Sequence, residues 1–135
     1  MAFPANAVRI CIDERTDALL KGRVYGTMLH EPLFFNDSYD LFLKIDKAFD
    51  SQGYPQSFQI KRSFQGEETA AAFNLHPERK TEEASFEKVL GEISTYIVQV
   101  VTRKNASWQG RVTNADGKFV GQFTNELELI DLLNI

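Results

Sequence analysis

The chain has 135 residues, 43% of them hydrophobic and 11 of them Phe, which is the length and content of one domain with a buried core. This composition excludes wholesale disorder. The formal net charge of −4 argues against a general binder of nucleic acid or of anionic membranes, although a local basic face stays open.

Compartment is indicated by the cysteine content and by the first residues. Cys11 is the only cysteine, so no internal disulfide can form, and its position between Ile10 and Ile12 is typical of a small buried hydrophobe. The first 17 residues lack the cationic and apolar segments of a signal peptide. No apolar run approaches the roughly 20 residues of a membrane span. We therefore expect a cytoplasmic protein that does not contact a membrane and is not glycosylated at its two Asn-x-Ser sequons.

Three strands are predicted first. Ile10 and Ile12 alternate with polar or small residues, which is typical of a half-buried strand. A second strand has Leu20, Gly22 and Val24 inward, and a third ends at Phe35.

A helix follows, because Asn36 or Asp37 can cap it and because apolar residues recur at helical spacing. These residues are Leu41, Phe42, Ile45, Ala48 and Phe49. Gly53 and Pro55 end the helix.

The middle of the chain predicts different elements. Residues 57–64 alternate and predict one connecting strand, residues 65–84 predict a long polar loop, and Ser85 to Ile93 predict a short helix.

An internal repeat appears at an offset of 88 residues. Gly22-Arg23-Val24 then falls on Gly110-Arg111-Val112, and Phe35 falls on Phe123, among seven identities. The second copy again predicts three strands and a helix capped by Thr124 or Asn125. We therefore predict a single α+β domain, 1–135, in which two β-β-β-α repeats (8–50 and 96–135) share one mostly antiparallel sheet of about seven strands. An approximate twofold would relate the copies, with both helices on one face.

The second copy resembles small uncharacterised bacterial proteins of Firmicutes type. The resemblance rests on the hairpin Asn105-Ala106-Ser107-Trp108-Gln109-Gly110-Arg111-Val112 and on the helix Glu126-Leu127-Glu128-Leu129-Ile130. It implies no activity, so no functional residue is transferred from it.

No catalytic or metal-binding pattern is present in the sequence. His30 and His76 have no second His or Cys at ligand spacing, and the chain has no phosphate-binding glycine loop and no G-x-S-x-G elbow. The sequence therefore predicts no enzyme, no metal and no cofactor.

Basic and aromatic side chains on outward strand positions, with Arg103 near a turn, form the candidate binding surface. We predict that it comprises Arg23, Arg111, Tyr25, Lys61 and Arg103. Such a face can hold phosphates and stack bases, but long polar side chains also simply cover a solvent-facing sheet. Trp108 is expected in the core, because its repeat partner is Leu20.

Three functions stay open at this point. The sequence favours a non-enzymatic protein-interaction or self-associating module, with a homodimer or another protein as the partner. The alternative is nucleic-acid binding through the face that carries Arg23 and Arg111. A small-ligand carrier or enzyme is the third, and it would need a pocket with convergent polar groups.

Overall fold

The computed structural model describes residues 3–17, 19–55, 78–103 and 107–135, together with the backbone of 60–62 and 68–70. The chain has an α+β fold, as the sequence predicts. Its strands are β1 (Ala7–Arg15), β2 (Leu20–Tyr25), β3 (Leu33–Phe35), β4 (Ile60–Arg62), β5 (Glu68–Ala70), β6 (Ser94–Thr102), β7 (Gln109–Asn114) and β8 (Phe119–Phe123). Its helices are α1 (Ser38–Gln52) and α2 (Glu126–Leu133).

Six of the strands form one sheet in the order β3-β2-β1-β6-β7-β8, and every neighbouring pair is antiparallel. The predicted sheet of about seven strands is therefore one strand too large. Strand β4 lies within the predicted strand 57–64 but pairs with β5 in a separate hairpin. Strand β5 lies inside the predicted loop 65–84, half of which is outside the described residues.

The two outer hairpins have the same pairing. Ile12 faces Gly22 in the first and Val100 faces Gly110 in the second, and each first strand has a bulge just after that pair. Gly22 then faces Phe35, as Gly110 faces Phe123.

The two helices also begin and end alike. The side chain of Asp37 accepts a hydrogen bond from the backbone N of Asp40 (2.7 Å), and that of Asn125 accepts one from the backbone N of Glu128 (2.9 Å). Each helix thus has a capped N-terminus. Gly53 and Asn134, both with positive φ, end them. No helix in the part of the chain that the structure describes is long and apolar enough to cross a membrane.

The sheet separates two hydrophobic cores. The larger core takes side chains from the sheet and from both helices: Val8, Ile10, Ile12, Leu20, Val24, Met28, Phe35, Leu41, Ile45, Phe49, Val98, Val100, Trp108, Val112, Phe123, Leu129 and Leu133. The smaller core consists of Phe3, Ala7 and Phe86, with Tyr25, Val89 and Ile97 packed against it. Strand β1 is buried on both faces from Ala7 to Ile12, so the prediction of a half-buried first strand is wrong.

The predicted helix from Ser85 to Ile93 is also wrong. A short 3-10 helix, Glu83–Ser85, is followed by turns and extended chain. Short-range hydrogen bonds link residues 82–89, but groups that would continue a helix beyond them bond to the sheet instead. The carbonyl oxygen of Val89 accepts a hydrogen bond from Arg9, and the backbone N of Ile93 donates to the carbonyl oxygen of Ile12.

Candidate functional site

The face of the sheet that lies opposite the larger core is unequally covered along its width. We call the part on β6, β7 and β8 the open half, defined by Gln99, Val101, Arg111, Thr113, Phe119 and Gln122. The part on β1 and β2 lies against residues 83–93, and we call it the covered half; Phe34, on the neighbouring edge strand β3, stays 63% exposed. Cross-strand neighbours share a face, so the rows Gln99–Arg111–Gln122 and Cys11–Arg23–Phe34 correspond.

Arg23, in the covered half, is fully engaged. Its Nε and Nη2 atoms donate to the two carboxylate oxygens of Asp13 at 2.9 and 3.0 Å. Its Nη1 donates to the hydroxyl of Tyr25 at 3.0 Å, and Nη2 also donates to the carbonyl oxygen of Leu90 at 3.1 Å. The hydrogen bond from Arg23 lowers the pKa of Asp13 below its ordinary value, and the one to Asp13 raises the pKa of Arg23.

Tyr25, another predicted binding residue, is half-buried. Its ring stacks on Phe86 with 6.0 Å between ring centres. The guanidinium carbon of Arg23 lies over the same ring, 5.7 Å from its centroid. Arg23 and Tyr25 therefore join the sheet to residues 83–93, and neither presents a free binding group.

Arg111, in the open half, differs from Arg23 although both occupy the same place in their hairpins. It is exposed, and it forms no ion pair or hydrogen bond with any residue that the structure describes. The position that corresponds to Asp13 is Val101, which carries no charge and is 47% exposed. Phe119, on the edge strand, is 61% exposed.

Arg103, predicted near a turn as part of the binding surface, is not available to solvent. Its side chain is buried, because two carboxylates on α1 offset its charge: Nη1 lies 3.1 Å from Oδ1 of Asp46 and 2.7 Å from Oδ1 of Asp50. Its Nε donates to the carbonyl oxygen of Pro55 at 2.8 Å. The backbone of Lys61 lies in β4, away from the six-stranded sheet, and its side chain is outside what the structure describes.

Trp108 is buried, which confirms its predicted place in the core. Its indole Nε1 donates to Oδ1 of Asp46 at 3.0 Å, the same atom that Arg103 binds. Phe42 and Phe49 meet the indole edge-on at 5.4 and 6.0 Å. Trp108 therefore anchors α1 and is not an exposed stacking platform.

Arg9 is the functional candidate that the sequence reasoning missed. It is 4% exposed in the middle of β1, and it lines a groove of about 420 Å³ between residues 83–88 and the β7–β8 turn. The one signal in the sequence was a charged residue inside the apolar run Ala7-Val8-Arg9-Ile10-Cys11.

No metal centre is formed by the described residues, since no three His, Cys, Asp or Glu side chains converge there. Cys11 is buried, and its burial raises the pKa of the thiol, which disfavours the nucleophilic thiolate. No protein-family model, no curated protein and no solved structure matches the chain significantly. The resemblance of residues 105–133 to Firmicutes-type proteins stays a prediction.

Proposed function

We propose that this protein is a non-enzymatic protein-binding module whose partner docks on the open half of the sheet. One observation carries the proposal. Residues 83–93 cover one half of the face and bury Phe86 there, whereas Val101, Arg111, Phe119 and Gln122 are exposed on the other half. An exposed apolar patch with a polar surround is typical of a protein-interaction site.

We also propose that residues 8–50 and 96–135 are copies of one β-β-β-α unit, related by an approximate twofold, with both helices on one face. The matching pairs, bulges and helix caps of the two hairpins support this. The central pairing supports it too, because Arg9 faces Ile97, which is its own counterpart at the offset of 88. A twofold axis between these two residues would exchange β1 with β6.

The repeat explains why the unequal covering is informative. Two equivalent halves need equivalent shielding, and only the first half obtains it from residues 83–93. A partner segment would supply for the second half what Phe86, Val89 and Leu90 supply for the first.

The charges indicate what such a segment carries. Arg23 has the carboxylate of Asp13 beside it, but Arg111 has Val101 in that place. We infer that the partner supplies a carboxylate to Arg111 and apolar side chains to Val101 and Phe119. A bacterial cytoplasm as the setting of this interaction stays a prediction from composition and resemblance.

The test uses cross-linking from defined positions of the full chain. A photoactivatable benzoylphenylalanine replaces Thr113 in the open half or, as the control, Phe34, which is 63% exposed on the other edge strand. We expect one protein to cross-link from position 113 only, and the same protein, once purified, to bind the wild-type chain with an affinity that Arg111→Glu lowers at least tenfold. Phe34→Ser should bind normally.

Other results would identify other functions. Cross-links between two copies of the chain, together with a dimer in analytical ultracentrifugation that Arg111→Glu dissociates, would make the partner a second copy. Salt-sensitive oligonucleotide binding that an Arg23→Glu/Arg111→Glu double variant abolishes would replace the proposal with nucleic-acid binding. Equal cross-linking from positions 113 and 34 would refute the open half as the site.

A further inference from the structure

Arg9 carries a charge in a place where a charge is costly. Its exposed fraction is 4%, and its neighbours in β1, Val8 and Ile10, are core residues. Buried arginines are normally paired, because an uncompensated charge in a protein interior is strongly unfavourable. Arg103, just as buried at 3%, follows this rule with two carboxylates and a carbonyl oxygen.

Arg9 departs from that rule. Its Nε donates to the carbonyl oxygen of Val89 at 2.7 Å. Its two terminal nitrogens form no hydrogen bond or ion pair with any residue that the structure describes. The Nη1–Nη2 edge of the guanidinium, which can donate two parallel hydrogen bonds to a carboxylate, is therefore unused.

The repeat does not require this arginine. The counterpart of Arg9 is Ile97, which packs against the smaller core from the same central position of the sheet. An apolar residue therefore fits the fold there, and the charge at position 9 needs a reason of its own.

The groove beside Arg9 has apolar walls and a mixed rim. Phe3 and Phe86 meet edge-on at 5.2 Å, and Ile97 lies next to them. Oε2 of Glu83 accepts a hydrogen bond from the backbone N of Phe3 at 2.9 Å. The remaining charged lining residues are Glu87, Lys88 and Asp116, all exposed and screened by solvent.

We propose that this groove binds a carboxylate carried on an apolar, planar group. The terminal nitrogens of Arg9 would hold the carboxylate, and Phe3, Phe86 and Ile97 would contact the apolar part. A singly charged carboxylate fits better than a phosphate dianion, because Glu87 and Asp116 stand at the rim. The groove is distinct from the open half, so this inference does not depend on the proposed protein partner.

The carboxylate has two conceivable sources, a free organic acid or an acidic residue of a protein segment, and the titration has an arm for each. The full chain is titrated with phenylacetate, with its uncharged analogue phenylacetamide, with inorganic phosphate and with the blocked dipeptides N-acetyl-Phe-Glu-amide and N-acetyl-Phe-Gln-amide. Backbone amide signals of Phe86, Ile97 and Gly117 and the Nε signal of Arg9 are followed by NMR.

We expect saturable shifts of these signals with phenylacetate and at least tenfold weaker binding of phenylacetamide and of phosphate. If the glutamate dipeptide binds more tightly than phenylacetate and the glutamine dipeptide does not bind, the source is a protein segment. The reverse order indicates a free acid. Equal binding of acid and amide, or no saturable shift with any acid, overturns the proposal.

Variants make the test independent of folding. Arg9→Met keeps the apolar stem but loses the hydrogen bond to Val89, so urea unfolding is measured alongside binding to show that the variant is folded, while acid binding falls at least tenfold. Arg9→Lys keeps the charge without the fork, so binding should weaken severalfold, and it serves if Arg9→Met does not fold. Lys88→Gln at the exposed rim is the matched control and should bind within about twofold of the wild type. Unchanged acid binding by Arg9→Met and Arg9→Lys refutes the site.

Discussion

The Cβ position of Gly110 lies 2.9 Å from Cζ of Phe123, and a methyl group there would also overlap the carbonyl oxygen of Gln99. Gly22 stands in the same relation to Phe35, at 2.7 Å. Each glycine lies on the middle one of three adjacent strands (β2 or β7) and allows that strand to pass beneath a buried phenylalanine ring. This close approach is what brings the helix that follows each ring onto the larger core.

A methyl group at either glycine should therefore destabilise the protein. We expect Gly110→Ala to lower the free energy of unfolding by about 2–4 kcal/mol, because the backbone of β6 and the Phe123 ring must both shift. Gly26→Ala is the matched control, since its Cβ would meet nothing closer than 3.4 Å, and it should change stability by less than about 1 kcal/mol. Urea unfolding followed by Trp108 fluorescence measures both. Equal losses would contradict the packing described.

The two carboxylates that bind the buried Arg103 should contribute unequally to stability. Asp46→Ala removes the acceptor of Trp108 Nε1 and one carboxylate of Arg103, so we expect a loss of about 2–3 kcal/mol. Asp50→Ala leaves Arg103 with Asp46 and with the carbonyl of Pro55, so its loss should be less than half as large. Both substitutions favour helix formation in α1, which removes propensity as a cause. Thermal or urea unfolding gives the two values, and a reversed order would refute this account.

The pair Asp13–Arg23 should make stability depend on acid pH. The hydrogen bond from Arg23 lowers the pKa of Asp13 below 3.8 in the folded state. Its stabilising contribution is therefore complete above the ordinary value and is lost as the pH falls through the lowered one. We expect Asp13→Asn to be less stable than the wild type near pH 7, by roughly 0.5–1 kcal/mol, and this gap to close towards pH 2.

The partner residue provides the control for that pH dependence. In an Arg23→Met background, Asp13→Asn should change the slope of stability against pH much less, because the stronger donor is gone and only the backbone N of Glu92 still lowers the pKa of Asp13. Urea unfolding at a series of pH values measures the slopes. An unchanged gap between wild type and Asp13→Asn from pH 7 to pH 2 would show that the pair is not linked to acid unfolding.

The helix caps should contribute equally to stability. Asp37→Ala and Asn125→Ala each remove one side-chain acceptor at a helix N-terminus, and each should cost about 1 kcal/mol. Asp131→Ala, in the last turn of α2 where a negative charge opposes the helix dipole, should be neutral or slightly stabilising. Thermal unfolding of the three variants checks this, and a cost at one cap alone would contradict their equivalence.

Local chemistry in the sequence was enough to predict the strands of both hairpins and the cap residues of both helices. Alternation of apolar residues and a capping side chain act over a few neighbouring positions, so they can be recognised without knowing the rest of the fold. Residues 83–93 were misassigned because their partners are distant: Phe86 and Val89 have helical spacing, but the sheet face determines their conformation.

At the candidate site, too, some features follow from the local sequence pattern and others depend on tertiary contacts. The sequence by itself determined the α+β class, the buried tryptophan and the equivalent placement of Arg23 and Arg111, since these follow from periodicity and from the repeated pattern. Only the tertiary structure decided which arginines are free. Arg103 meets Asp46 and Asp50 across more than fifty residues, Arg23 is held by Asp13 and Leu90, and Arg9 and Arg111 form no ion pair among the described residues. The availability of a charge depends on what packs against it, and that is set by contacts between distant parts of the chain.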